Sequence, residues 1–358
     1  VQLEAGLTDA VEAQVVPRTG PALRVGLVVP QSGALGMMGP SAVDAALLAA
    51  HEVNVGGGVR GAYVDLVLVD GGRSPAVVAA DVRRLCRSGA VDALVGFHTS
   101  DVHRAVAGGV AGQVPYVFTP PHEGGRLPPG VVRTGPDPAR QLRGAIRWLT
   151  RQHALRRWAL VGNDYVWPWA VHRAARRILA EVDAAVVVDR FVPLGAAEAH
   201  LDRLVDELRR RQADALLVSL VGRDLVALHR GLRQAGLDRR LVRLSGALEE
   251  NGLLAGGGDG TGLLYAVMPT FASLDDERHA GLAERHARVL GPAAPVLNDY
   301  AVGVYDGLRL VAHLAEHGRL RPELLGGGAR VAAVEAPTGR VHLARADGLD
   351  LGIVPGVA

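Results

Sequence analysis

The chain has 358 residues, 49% of them hydrophobic, which is more than one typical domain holds and enough for two with cores of their own. Its 39 basic and 37 acidic residues nearly cancel, and every basic residue is arginine. The absence of lysine excludes a phosphate-loop lysine, a Schiff-base lysine and the S-x-x-K nucleophile, while the single Cys86 excludes an intramolecular disulfide and a cysteine-based metal site.

In chain order the elements alternate. Leu23 to Val29 reads as a buried strand, and Ser41-x-x-Asp44 as a helix start, with Val43, Ala46, Leu47 and Ala50 forming the apolar face. Tyr63 to Asp70 is the next strand, Ser74 to Arg87 a helix, Ala93 to Gly96 a strand, Ser100 to Ala111 a helix and Tyr116 to Thr119 a strand. Cys86 falls in the period Val78, Val82, Leu85 and reads as an inert core thiol. A Pro and Gly rich stretch, Pro120 to Pro138, breaks the rhythm. Helix Ala139 to Gln152, strand Trp158 to Val161, helix Val166 to Glu181, strand Ala184 to Phe191, helix Ala197 to Arg211, strand Ala215 to Leu220 and helix Arg223 to Ala235 follow. A glycine cluster, Gly256 to Gly262, marks a second break. Helices over Asp275 to Leu290 and Asn298 to Glu316, and short strands near Val331 to Val334, Val341 to Ala344 and Leu349 to Val354, end the chain. This is the pattern of two doubly wound α/β lobes with parallel sheets.

Two motif matches fail on context. Gly56-x-Gly58-x-x-Gly61 has the letters of a dinucleotide fingerprint but follows a helix and precedes a strand, so no helix N-terminus faces a pyrophosphate. His313-x-x-Glu316-His317 resembles an inverted zinc-protease pattern but lies at a helix end running into Gly318. No serine sits in a G-x-S-x-G elbow, and no nucleophile with a base is evident. The arginines alternate with acids, as in Arg203, Asp206, Glu207 and Arg209, which reads as a solvated face and gives no support to nucleic-acid binding. No cofactor and no metal is expected. No run reaches 18 apolar residues, so no membrane span is expected. Val1 is not a methionine and residues 1 to 22 lack signal-peptide regions, so an upstream segment is expected to have been removed.

Polar groups collect where strands end. Gln31-Ser32-Gly33 follows the first strand, Phe97-His98-Thr99-Ser100 the third and Phe118-Thr119-Pro120 the fourth, and Ser100 opens a helix whose N–H groups could receive a ligand oxygen. In the second half, Val161-Gly-Asn-Asp-Tyr-Val-Trp-Pro-Trp169 places Tyr165 and Trp167 at a strand-to-helix turn. An extended backbone there, favoured by Pro168, would put both rings on one side, and Asp164 could cap the helix. The rings either stack on a ligand in a cleft or cap a core.

These residues resemble the type I periplasmic binding proteins of the Leu/Ile/Val-binding family, and within it the amide and urea branch. The resemblance runs from about Leu23 to Val354. It rests on Val25-Gly-Leu-Val-Val-Pro-Gln-Ser-Gly33 with Gly39, on Glu52-Val-Asn54 followed by Gly57-Gly-Val-Arg-Gly61, on Thr119-Pro-Pro-His-Glu-Gly-Gly125 and on Gly162-Asn-Asp-Tyr-Val-Trp-Pro168. It implies two Rossmann-like lobes joined by three hinge crossovers: an N-terminal extension of 1–23, lobe one over 24–138 and 268–327, and lobe two over 139–267 and 328–358. Crossovers are expected around Pro136 to Ala139 and Tyr265 to Met268.

What the resemblance implies in function is a non-enzymatic receptor that closes over a small solute and delivers it to the permease of an ABC transporter, outside the cytoplasm or anchored there by lipid. The alternative is a ligand-sensing regulatory domain of a larger protein, as in a cytoplasmic amide sensor. By position Ser100 matches the family's ligand-binding serine, and Tyr165 and Trp167 its paired tyrosines. Met38, His98, Thr99, Phe118, Thr119, Pro120, His122 and Glu249 complete the candidate ligand-binding set. The branch's usual hydroxyl-bearing Tyr is replaced at Phe118, its Thr at Pro120, and a further Tyr at each of His98 and His122, which leaves room for a bulkier or less polar ligand than urea. A branched-chain amino acid would need a carboxylate for its ammonium, and Asp164, Asp224 and Glu249 are the candidates.

Overall fold

The continuous apolar run Val25 to Val29 can be satisfied only by a strand covered on both faces, and the computed structural model, which describes residues 3–15, 20–325 and 340–357, builds a sheet around it. The chain divides into two compact units: Val1–Pro120 with Gly125–Gly135 and Asp276–Thr338, and Pro121–Gly124 with Pro136–Asp275 and Gly339–Ala358.

In unit 1 the order is β1 (Gly6–Asp9), α1 (Glu12–Val15), β2 (Ala22–Val29), α2 (Gly39–Val55), β3 (Tyr63–Asp70), α3 (Pro75–Arg87), β4 (Ala93–Gly96), α4 (Ser100–Val110), β5 (Tyr116–Phe118) and β6 (Val131–Arg133). The six strands pair in parallel in the order β1-β3-β2-β4-β5-β6. Helices α3 and α4 pack together over one face, where Val78, Val82, Leu85, Val102 and Val106 meet Val28, Leu94, Tyr116 and Phe118. Cys86 packs against this cluster, and burial pushes its thiol up to about 11, well away from thiolate chemistry.

Helix α2 differs from expectation in two ways. A 3-10 turn over Gly36–Met38 leads straight into it, so it begins at Gly39 with Pro40 in its first turn, and Ser41 lies inside the helix rather than capping it. Its buried positions also extend beyond one face, to Ala42, Ala45, Leu48 and Ala49, because it packs against the sheet and a second helix together. The segment 6–15, expected as an extension, adds the edge strand β1 to β3.

Unit 2 begins with α5 (Pro138–Gln152), whose first N–H groups, of Ala139 and Arg140, are accepted by Asp137 Oδ1 at 2.9 and 3.0 Å. Then come β7 (Arg157–Asn163), α6 (Val166–Ala180), β8 (Ala185–Val192), a 3-10 turn over Ala197–His200, α7 (Leu201–Arg210), β9 (Ala215–Ser219), α8 (Gly222–Gln234), β10 (Val242–Ser245), α9 (Glu250–Ala255) and β11 (Leu264–Met268). The chain returns to unit 1 for α10 (Glu277–Leu290) and α11 (Asp299–Glu316), the latter packed along α2. It ends with β12 (His342–Asp347) and β13 (Asp350–Ile353), an antiparallel hairpin that completes the second sheet in the order β13-β12-β11-β10-β9-β7-β8.

Sequence patterning misses β6, β10, α9 and β11, all of three to six residues, too short for periodicity to register. Tyr265 to Met268, expected as a crossover, is buried strand β11, and the passage between units falls at Asp275 and Asp276 instead. The strand expected near Val331 to Val334 lies outside the described residues.

Candidate functional site

In a doubly wound sheet the strand order reverses at one place, and the helices leaving the two flanking strands diverge there, which leaves a crevice at the carboxyl edge. In unit 1 that place lies between β2 and β4, and in unit 2 between β7 and β9. The predicted residues of unit 1 cluster accordingly. Met38 follows β2, His98, Thr99 and Ser100 follow β4, and Phe118, Thr119 and Pro120 end or follow β5, three adjacent strands of one sheet.

Ser100 is the first residue of α4 rather than its cap; Thr99 holds that position in extended conformation, and its side chain caps no helical N–H. Ser100 is 3% exposed, and no group among the described residues hydrogen-bonds its hydroxyl. Asp101 Oδ1 accepts from Val102 N at 3.0 Å, and the unengaged Ser100 hydroxyl beside the remaining first N–H groups of the helix is a receptor for an oxygen acceptor. The floor beside it is rigid. The turns after β2 and β3 approach backbone to backbone, since a Cβ on Gly72 would stand 2.0 Å from the Ser32 carbonyl oxygen. Asp70 seals them by accepting from the N–H groups of Gln31, Ser32 and Gly72 and from the Ser32 hydroxyl. Burial works to raise the Asp70 carboxyl, but those four bonds outweigh it and hold the group below the usual range.

His98 and Phe118 face inward. His98 Nε2 lies 3.0 Å from the Tyr116 hydroxyl, which in turn lies 3.1 Å from His103 Nδ1, and Phe118 stacks on His103 at 4.0 Å in the core between the sheet and α4. Burial lowers the His98 imidazole to about 4, against smaller opposing effects of the Thr99 carbonyl and Asp101. Thr119 spends its hydroxyl on the Gly96 carbonyl at 3.3 Å. Met38 is fully buried and Pro120 is buried.

In unit 2 the aromatic segment folds differently from the extended expectation. Helix α6 starts at Val166, so Tyr165 is its N-cap residue and Trp167 lies in its first turn, both buried. Pro168 disfavours helical backbone at Trp167, but it sits in the first turn, where its missing N–H costs nothing. Trp167 Nε1 is buried with no hydrogen-bond partner. Asp164 caps nothing; it is exposed and accepts from the Trp169 indole at 2.9 Å. His122 belongs to unit 2 and is half-buried, its Nδ1 accepting from Gly124 N at 2.9 Å.

The three carboxylates considered for an ammonium are otherwise engaged. Asp224 is buried and accepts from Asn163 Nδ2 and the Gly195 and Ala197 N–H groups, tying the loop after β8 to the ends of β7 and β9. Glu249 is fully buried and caps α9, accepting from Asn251 N and Gly252 N at 2.9 and 2.7 Å. Its neighbour Glu250 was not singled out from the sequence, although the adjacent glutamates after a strand were the available signal. Glu250 Oε1 accepts from Ala272 N at 2.6 Å, whereas Oε2 is buried without a partner. Burial raises this carboxyl, only partly offset by the Ala272 bond.

The fold also assembles a hydrogen-bond order that the sequence did not show. Asp189 Oδ1 lies 2.7 Å from His172 Nδ1, and His172 Nε2 lies 2.9 Å from Ser219 Oγ. This is the connectivity of a nucleophilic triad. Ser219 is 0% exposed, however, and a Cβ on Gly162 would stand 2.4 Å from its Oγ, so backbone already fills the space a substrate carbonyl would need. The trio instead locks α6 to β8 and β9. His313 and His317 lie against each other, tilted, with ring centroids 4.2 Å apart at the end of α11, where Glu316 accepts from Arg60 N. Among the described residues no group of three or more His, Cys, Asp or Glu could hold a metal ion.

A family model described as periplasmic binding protein matches residues 22–349. Among solved structures, a solute-binding protein of an ABC transporter from R. palustris in complex with benzoate is 17% identical, with a TM-score of 0.76 over 93% of this chain and 95% of that one. The branched-chain amino acid transporter substrate-binding protein of Streptococcus pneumoniae in complex with isoleucine is 16% identical, with a TM-score of 0.78 over 93% and 99%. The fatty acid ABC transporter substrate-binding protein of Thermomonospora curvata is 17% identical, with a TM-score of 0.78 over 94% and 92%. At these identities the likeness is one of fold.

Proposed function

The chain belongs to the periplasmic binding proteins, a family of non-enzymatic solute receptors, and from that premise we propose that it is the solute-binding protein of an ABC transporter, working outside the cytoplasm with permease subunits as partners. Among the described residues no helix is long and apolar enough to cross a membrane. The solute is small and polar, of the amide, urea or amino-acid kind. The observation that carries this reading is the start of α4, where the unengaged hydroxyl of Ser100 and a helix N-terminus whose N-cap side chain makes no bond offer donors for an oxygen acceptor at the crevice edge of the sheet.

Glu250 supports the solute class. A buried carboxylate oxygen without a partner is costly unless a donor reaches it, and an amide N–H or an ammonium is such a donor. Tyr165 and Trp167 offer aromatic surface at the corresponding edge of unit 2.

A thermal-shift screen of amides, ureas, amino acids and benzoates tests the proposal. A solute at a hundredfold over its dissociation constant adds about 2.7 kcal/mol of stability, and solutes with an N–H donor are expected to exceed benzoate. Ser100→Ala should weaken the best solute by about 1–3 kcal/mol in calorimetry, through the partner it leaves unpaired. No shift with any member of the panel would sink the receptor reading, and benzoate equalling the amides would remove Glu250 from it.

A further inference from the structure

We propose that the outer face of α5 is a docking surface for an acidic protein segment. Arg140, Arg143, Arg147 and Arg151 recur at intervals of three and four, so they form one stripe roughly 16 Å long on a helix whose opposite face, Leu142, Ala145, Ile146 and Leu149, is buried. A groove of about 560 Å³ runs along the stripe, with Trp148 and Val357 in its walls. Over the whole chain basic and acidic residues nearly cancel. Here they do not.

Among the described residues the only acid lining the groove is Asp137, which is spent on capping α5. Glu181, at the end of α6, is clamped by Arg143 and Arg147 at 2.5 and 2.9 Å, and the Arg143 hydrogen bond foremost holds its carboxyl below the usual range. Arg140 and Arg151 are exposed and have no acceptor among the described residues, and the same holds for Arg173 and Arg177 on α6. Like charges three and four residues apart destabilise a helix, a cost that counter-charge from outside would remove.

Glu181 also shows the form that counter-charge takes. One carboxylate is shared by two guanidiniums a turn apart, so side-chain carboxylates at the same pitch on a partner segment would continue the pattern toward Arg140 and Arg151. The groove and the half-buried Trp148, edge-on to Tyr265 at 6.0 Å, add apolar wall for a side chain to lie against. Such a recess suits a peptide segment better than a flat anionic membrane. This inference is independent of the solute.

The test uses the full chain and a fluorescent peptide of roughly 16 residues, long enough as a helix to span the stripe, with glutamates at helical spacing, alongside the same peptide with glutamines. Anisotropy titrations run at low salt and at about 150 mM, where screening is strong beyond about 8 Å. The glutamate peptide is expected to bind and the glutamine peptide not. The double variant Arg140→Glu with Arg151→Glu, whose parent side chains support nothing else, should weaken binding at least about tenfold with an unchanged melting temperature. The pair Arg203→Glu with Arg210→Glu on α7 should leave binding as it was. Equal losses from both pairs, no binding of the glutamate peptide, or binding only to phosphatidylglycerol vesicles would each overturn the proposal.

Discussion

His98 is held neutral because its ring is buried and joined to Tyr116, so its folded-state pKa of about 4 lies below the ordinary 6.5. A depressed pKa contributes stability that is present above about 6.5 and lost as pH falls toward about 4, because the unfolded chain takes up the proton first. The loss amounts to about 3 kcal/mol in order of magnitude. His229, lowered to about 3 by burial and then by Arg243, acts in the same direction, so the readout is the difference between parent and His98→Phe in urea unfolding across that window. An identical pH slope in both would take His98 out of the account. Trp167 poses a different question. Its indole N–H is buried without a partner, so a solute that raises the melting temperature should also change tryptophan fluorescence, and Trp167→Phe should remove most of the change. Trp148, Trp158 and Trp169 also emit; if the whole change survived, Trp167 would be a core residue and no part of the site.

At the scale of elements, the short strand β10 depends on one ion pair. Arg243 is 1% exposed and donates to Asp259 Oδ2 at 2.8 Å, to the Leu241 and Asp238 carbonyls and to Thr261 Oγ1. The glycine cluster expected as a simple break is therefore a loop folded back to neutralise a strand residue. Removing one partner of such a pair strands a buried charge, and Asp259→Ala is expected to destabilise by about 3–5 kcal/mol. A calorimetric loss below about 1 kcal/mol would mean that water reaches Arg243. Arginine in a four-residue strand also explains why β10 was invisible to patterning, since its polarity is cancelled only by residues sixteen and eighteen positions later. The same reason hides Glu250, whose significance depends on the Ala272 N–H reaching one oxygen and none of the described residues reaching the other.

At the scale of the molecule, unit 2 is finished by the last strands of the chain, after the path has passed through α10 and α11 of unit 1. The hairpin β12–β13 covers β11, bridges Asp259 to Gly348 and accepts the Ser273 hydroxyl at Leu351. Deleting residues 340–358 should expose the β11 edge. Hydrogen exchange is then expected to speed up in 242–245 and 264–268 while 25–29 and 93–96 stay protected, because each sheet has its own core. Uniform loss of protection would show that the two units unfold as one.

Patterning alone carried the alternation of strands and helices, because long elements such as β2, β3, α5 and α7 repeat their apolar residues at the period of their backbone, and the quoted segments carried the family. It also brought Ser100 to a sheet edge, since strand order in a doubly wound fold follows from chain order with few alternatives. Tertiary structure decided which polar groups remain available there. Asp164, Asp224 and Glu249 are all candidate carboxylates in the sequence, and each is engaged: Asp164 by the Trp169 indole five residues on, Glu249 by the first N–H groups of the helix it caps, and Asp224 by Asn163 and the loop at Gly195, both far away along the chain. For Asp224 and Glu250 the deciding hydrogen bonds come from residues distant along the chain, Asn163, Gly195, Ala197 and Ala272, and local periodicity holds no record of those.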